Sequence, residues 1–150
     1  MTITQEGSNI IIRNSRDEVL LFLRDDKPDI PCPGMWALLG GVREDGETPL
    51  ENVIREIEEE IGVILDPAKV EHHCTRDRHW GLREHTFRTR LDLDLGEITL
   101  TEGQELRWFS KTNIEATVLG FEENEMLADY FAGIRHPRDP GQPANDAATE

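Results

Sequence analysis

Apolar residues along this chain fall into two rhythms. Ile10-Ile11-Ile12 and Val19-Leu20-Leu21-Phe22-Leu23 are short unbroken runs bounded by polar residues, and they predict strands. Asn14-Ser15-Arg16-Asp17 between them is turn chemistry, so the two predict a hairpin. The Leu- and Val-rich second run predicts a buried central strand. Residues 25–34, with three prolines, read as a loop, and Trp36 to Leu39 as a short strand entering Gly40-Gly41. Val70 to Thr75 and Thr86 to Leu93 alternate roughly and predict two more strands, joined by residues 76–85. Leu106 to Phe109 predicts another, and Asn113 a short helical turn. Phe121, Met126, Leu127, Tyr130, Phe131 and Ile134 recur at helical period, which predicts a packing helix over Glu122 to Ile134.

The strongest helical signal lies in between. Leu50, Val53, Ile54, Ile57 and Ile61 form one apolar stripe at about 100° per residue. Thr48-Pro49-Leu50-Glu51 reads as a capping box with proline at the first helical position, and Gly62 as the stop. Away from the stripe, Glu56, Glu59 and Glu60 share roughly 100° of arc. Like charges at these spacings oppose an isolated helix. Such a face either meets water or meets a hard divalent cation, which takes oxygen ligands and substrate phosphates.

Charge narrows the choice. The net charge is −15, from 16 basic and 31 acidic residues, which argues against a nucleic acid polymer bound over a broad surface. A small anionic substrate stays open if metal ions supply local positive charge. With 150 residues the size prior is one domain, expected over residues 1–135, with 136–150, rich in Pro, Gly, Ala and acids, as a flexible tail. No apolar run approaches the ~20 residues of a membrane span, and MTITQEGSN has no secretory pattern. Cys32 and Cys74 are the only cysteines, which points to a reducing, cytoplasmic compartment. His72, His73 and Cys74 invite a metal reading. On a regular strand His72 and Cys74 share a face without His73, and no second ligand pair stands at zinc-like spacing. Trp80, flanked by Arg78, His79 and Arg83, reads either as a lid on the core or as a stacking surface for a base.

Gly41 to Val63 matches G-x5-E-x7-R-E-U-x-E-E-x-G-U, where U is a bulky aliphatic residue: Gly41, Glu47, Arg55, Glu56, Ile57, Glu59, Glu60, Gly62 and Val63 fill every fixed position. This is the Nudix box, and the chain resembles the Nudix hydrolases. The resemblance implies an α/β fold, an α/β/α sandwich around a mixed β-sheet. It implies metal-dependent hydrolysis of a diphosphate bond in a nucleoside diphosphate linked to another group, with Mg2+ or Mn2+. Glu56, Glu59 and Glu60 would be metal ligands, joined by the Gly40 carbonyl and by a loop carboxylate, Glu102 first and Glu105 second, acting as a ligand or as the base; which carboxylate takes the proton stays open. Arg55 and Glu47 would pair to hold the loop on the helix. Arg24 would approach substrate phosphates. Leu39 stands where the family commonly has proline. The substrate would be a small nucleotide-type molecule. The loop Glu102-Gly103-Gln104 before Trp108 looks more like enzymes of (deoxy)nucleoside triphosphates, and the family admits a homodimer. Three rivals remain: a non-catalytic nucleotide-binding or sensor module, a structural cation site, and isoprenoid diphosphate isomerisation, which needs a cysteine in the cleft.

Overall fold

The computed structural model describes residues 2–134; the expected tail, 136–150, lies outside them. Seven strands, β1 (Gln5–Arg13), β2 (Val19–Leu23), β3 (Trp36–Ala37), β4 (Leu39–Val42), β5 (Glu71–Asp77), β6 (Leu82–Arg90) and β7 (Glu105–Phe109), form one sheet. Three α-helices accompany it: α1 (Pro49–Ile61), α2 (Lys111–Glu115) and α3 (Asn124–Phe131). β1 runs parallel to β6 and antiparallel to β4, while β2 lies antiparallel to both β3 and β7. The sheet is therefore mixed, as expected.

Burial on two faces explains the layers. Alternate residues of β1 and β2 point opposite ways. Ile10, Ile12, Leu20 and Phe22 join Val53, Ile57 and Ile61 of α1 in one core. Ile11, Val19 and Leu21 join Ile114 of α2 and Met126 and Leu127 of α3 in the other. The predicted hairpin forms, with the Asn14 side-chain oxygen accepting from the amides of Arg16 and Glu18.

Several element boundaries differ from the sequence reading. The expected strand Trp36 to Leu39 breaks in two at Leu38. There the amide donates to Glu123 Oε1 at 3.0 Å, and the chain changes partner from β2 to β1. Residues 76–85 are largely strand, with only residues 78–81 left as the turn. The charges that resembled a loop are cross-strand pairs, Arg76 with Glu84 at 2.7 Å and Arg83 with Asp77 at 2.8 Å. β6 accordingly starts earlier and stops before Leu91 and Leu93. The last helix starts at Asn124, because Phe121 and Glu122 adopt φ of 56° and 54° in a short 3-10 turn, Gly120–Glu122. It ends at Phe131, leaving Ile134 outside. Finally, a bulge between His72 and Cys74 puts them on opposite faces. The His72 ring meets Phe87 in the α1 core, whereas Cys74 joins the α2–α3 core.

Candidate active site

The capping box forms as read: Glu51 N–H donates to Thr48 Oγ1 at 3.1 Å, and Thr48 N–H to Glu51 Oε1 at 2.8 Å. Gly62 closes the helix at φ 72°. With the Val53/Ile57/Ile61 face in the core, α1 holds its other side against β4. The Asn52 amide donates to the Val42 carbonyl at 3.3 Å.

Arg55 is the hub of the acidic face. Its guanidinium takes both oxygens of Glu47, from Nε at 2.9 Å and Nη2 at 2.8 Å. Nη1 reaches Glu56 Oε1 and Glu59 Oε1, each at 3.0 Å, and Nη2 reaches the Val42 carbonyl at 3.2 Å. The Arg55 bond, with the Glu44 amide second, holds the Glu47 carboxyl down at about 2. Arg55 itself is raised, chiefly by its bond to Glu47.

Glu60 is the opposite case. It is 6% exposed, and its Oε1 finds no hydrogen-bond partner among the described residues. Burial, then the neighbouring Glu56, then the charge of Glu102 push its carboxyl up to about 8, against a smaller pull from the Gly40 backbone. Glu60 thus stands with Glu56, Glu102 and Gly40. The loop carrying Glu102 is tied to the end of α1: Thr101 N–H donates to the Glu60 carbonyl at 3.1 Å, and Thr101 Oγ1 to the Glu59 carbonyl at 3.0 Å. Glu105, the second choice, is held by Arg107 at 2.9 Å on β7.

Gly40 and Gly41 make this approach possible. A Cβ on Gly41 would run into the Glu56 carboxyl, and one on Gly40 into the Ser8 carbonyl and Asn9 of β1. No three His, Cys, Asp or Glu side chains among the described residues form a ready metal-holding group, and Glu59 leans to Arg55. The donor set nonetheless fits a hard cation. It offers carboxylate oxygens and a buried acceptor with no partner among the described residues, which a divalent ion would satisfy.

Beside the acidic cluster, and sharing Gly40 and Gly41 with it, lies a cavity of about 290 Å³. Arg24 and Trp80, the two expected substrate contacts, both line it. Arg24 Nε donates to the Pro31 carbonyl at 3.0 Å, and its guanidinium lies 4.9 Å from the Phe121 ring centre. Arg78 lies 4.4 Å over the Trp80 ring. Phe121 and the buried Glu123 also line the cavity; the sequence reading missed both as site residues, having placed them in or beside a packing helix. Neither cysteine lines it: Cys74 is buried on the other face of the sheet, and Cys32 accepts from the Phe121 amide at 3.3 Å.

The description "NUDIX domain" matches residues 4–130, and the chain belongs to that family. It is 31% identical over 134 residues to "Nucleoside triphosphatase NudI" of Enterobacter sp. (strain 638), covering 78% of this chain and 94% of that one. It is also 31% identical over 86 residues to "Putative 8-oxo-dGTP diphosphatase 3" of Mycobacterium tuberculosis (strain ATCC 25618 / H37Rv), a match that spans 54% of this chain and 40% of the relative. Among solved structures, a MutT protein from Methanosarcina mazei Go1 superposes with a TM-score of 0.75 at 21% identity, covering 88% of this chain and 96% of that one. The fold is the Nudix fold, and the enzyme class is that of the Nudix-type pyrophosphohydrolases, which act on acid anhydrides. Among the described residues no helix is long and apolar enough to cross a membrane.

Proposed function

We propose that this chain hydrolyses the diphosphate bond of a nucleoside diphosphate linked to another group, with a (deoxy)nucleoside triphosphate favoured, in a reaction that requires Mg2+ or Mn2+. The observation that carries the reading is buried Glu60 beside Glu56, with one carboxyl oxygen unpartnered among the described residues, next to Gly40 and Gly41 of a cavity large enough for part of a nucleotide. A similar chain described as a nucleoside triphosphatase supports the substrate preference.

In this reading Glu56, Glu59, Glu60 and Glu102, with the Gly40 carbonyl, hold the metal. Bound there, a divalent cation supplies charge neutralisation of the phosphate oxygens and a more acidic water. Arg55 draws Glu56 and Glu59 to one nitrogen, Nη1, through bonds to each at 3.0 Å, and so orients both. In the same reading Arg24, on the cavity wall, meets a substrate phosphate, and Trp80, on that wall too, offers its ring to the base. The two cysteines, neither in a disulfide, support a reducing, cytoplasmic setting. The test is a product-identified panel with Mg2+ and Mn2+: nucleoside triphosphates, oxidised dGTP, ADP-ribose, diadenosine polyphosphates and nucleotide sugars. Turnover of a triphosphate, lost in E60Q, is the expected result. Nucleotide binding without turnover of any of them would favour a sensor module instead.

A further inference from the structure

A row of polar side chains leads from β5 to the loop before α1, on the α1 side of the sheet. It begins at the bulge in β5. With one residue inserted there, His72 and Thr75 face the same way, and His72 Nε2 lies 2.9 Å from Thr75 Oγ1. Thr75 stands opposite His85 of β6, its Oγ1 2.8 Å from Nδ1. His85 Nε2 lies 2.6 Å from Glu6 Oε2 on β1, and Arg43 Nε donates to the other oxygen, Oε1, at 3.2 Å. Arg43 Nη1 donates in turn to the carbonyls of Glu44 at 3.3 Å and Glu47 at 3.1 Å. Glu6, Thr75 and His85 border a cavity of about 450 Å³ that Thr48 and Pro49, at the start of α1, also line.

Donor and acceptor roles give the row a direction. An ionised carboxylate only accepts, so His85 Nε2 carries the hydrogen toward Glu6. In the neutral imidazole Nδ1 is then the acceptor and takes the Thr75 hydroxyl hydrogen, while Thr75 Oγ1 accepts from His72. The His85 bond comes first in holding the Glu6 carboxyl below the usual carboxylate range, against burial. Each Glu6 oxygen thus has its own donor, and the His85 ring is fixed from both sides. The consequence falls on Arg43, a long side chain with many rotamers to lose. Held at Nε by Glu6, it keeps Nη1 on two carbonyls of the loop, residues 43–47. Arg55 grips the same loop through the Glu47 carboxylate. Arg43 therefore braces the loop by its backbone and Arg55 by its side chain.

We propose that Arg43 is a positioning residue for the acidic site, kept in place by Glu6 and, through Glu6, by His85 and Thr75. With the backbone of residues 43–47 so held, Glu47 presents both oxygens to Arg55, and Arg55 in turn orients Glu56 and Glu59. The role rests on the hydrolase reading of the preceding section, in which those carboxylates hold the metal. Arg43 acts through the loop, so its loss weakens the site without removing a ligand.

The test is a double-mutant cycle in the full chain, with ATP and dGTP as substrates. R43A, E6A and H85A are each expected to lower kcat/KM about tenfold and to raise the Mg2+ concentration needed for half-maximal rate. H85Q, which keeps an N–H toward Glu6, should recover most of the loss. R88A, which breaks an exposed pair with Glu71 on β5 and β6, should match wild type. Because His85 acts through Arg43, R43A/H85A should be no worse than R43A alone. Multiplied losses in the double variant, or wild-type kinetics in R43A, overturn the proposal. Should H85A not fold, E6A with R43A completes the same cycle. A second readout needs no turnover: the NMR signal of the Arg55 Nε–H group, donor to Glu47, should move in R43A and H85A and hold in H85Q and R88A. If wild type hydrolyses no nucleotide yet the signal moves in this pattern, the hydrolase reading fails and the bracing of the loop stands. If wild type hydrolyses nucleotides and R43A changes neither rate nor signal, the bracing fails and the hydrolase reading stands.

Discussion

Arg55 grips Glu47 through two parallel bonds, Nε to Oε2 at 2.9 Å and Nη2 to Oε1 at 2.8 Å, and with the same guanidinium reaches Glu56 and Glu59. One planar group therefore sets the loop before α1 and two carboxylates on it. Lysine carries the charge but not the fork, so it can serve one of these partners at a time. R55K is expected to lower kcat/KM by about 10–100-fold, the range for residues that orient metal ligands, and to raise the Mg2+ concentration needed for half-maximal rate. Wild-type kinetics in R55K would show that the fork does not matter to the site.

Gly40 and Gly41 are neighbours with opposite liabilities. The atoms an added Cβ would strike at Gly41 belong to the far end of the Glu56 side chain, with Oε1 at 2.6 Å. That side chain can swing away at small cost to the fold. At Gly40 the obstacles are backbone, including Asn9 Cα at 2.6 Å, in a strand paired to β4. G41A should therefore keep its melting temperature within a few degrees and lose activity, whereas G40A should lose stability, by roughly 1–3 kcal/mol as for other overpacked sites. Thermal unfolding beside initial rates separates them, and equal destabilisation by both would refute the distinction.

The contrast marks what local pattern can carry. The capping box, the stripe and the acidic arc are periodic within α1, so they were readable before the fold. The hairpin was readable from Asn14 for the same reason. The bulge at His73, the break at Leu38 and the left-handed Phe121 are set by partners far along the chain: β6, Glu123, and Arg78 with Cys32. Glu123 in particular sits among acids in the sequence and reads as a solvated helix start, yet it is 1% exposed. Arg24, Trp80 and Gly40 met in one cavity because the expectation for each came from the family resemblance or from residue chemistry and did not depend on exact boundaries.

Glu123 also gives the protein a pH dependence. It accepts from the Leu38 amide at 3.0 Å and from Asn9 Nδ2 at 3.3 Å, with Glu84, Arg76 and Arg78 as its charged neighbours. Burial first, and then the Glu84 charge, raise its carboxyl to about 8 from an ordinary 4.5, against opposing pulls from the Leu38 bond and the two arginines. A raised carboxyl pKa means the folded state holds its proton longer than the unfolded chain does. The contribution to stability is complete below about 4.5 and is lost as pH climbs to about 8, at up to about 1.4 kcal/mol per unit. E123Q removes the titration. Its melting temperature should fall less than that of wild type between pH 5 and 8, and parallel curves would contradict the assignment.

Glu60 should show that the site is a stability liability that metal relieves. Without metal, Glu60 is buried next to Glu56 and near Glu102 with one oxygen unpartnered, so at neutral pH the folded state must hold a proton that the unfolded chain releases. Glutamine keeps the shape and is neutral without a proton, so in EDTA at neutral pH E60Q should melt above wild type. Mg2+ should reverse the order. At about 100 times its Kd a ligand adds about 2.7 kcal/mol to the folded state, and at about 2–4 °C per kcal/mol for a chain of this size the wild type should gain roughly 5–10 °C. E60Q should gain far less, and its hydrolysis should fall to near background, the trade of stability against activity expected of a charged site. Paired thermal scans with Mg2+ and with EDTA decide it. If Mg2+ raises the melting temperatures of wild type and E60Q equally, the cation binds elsewhere and Glu60 is not its ligand.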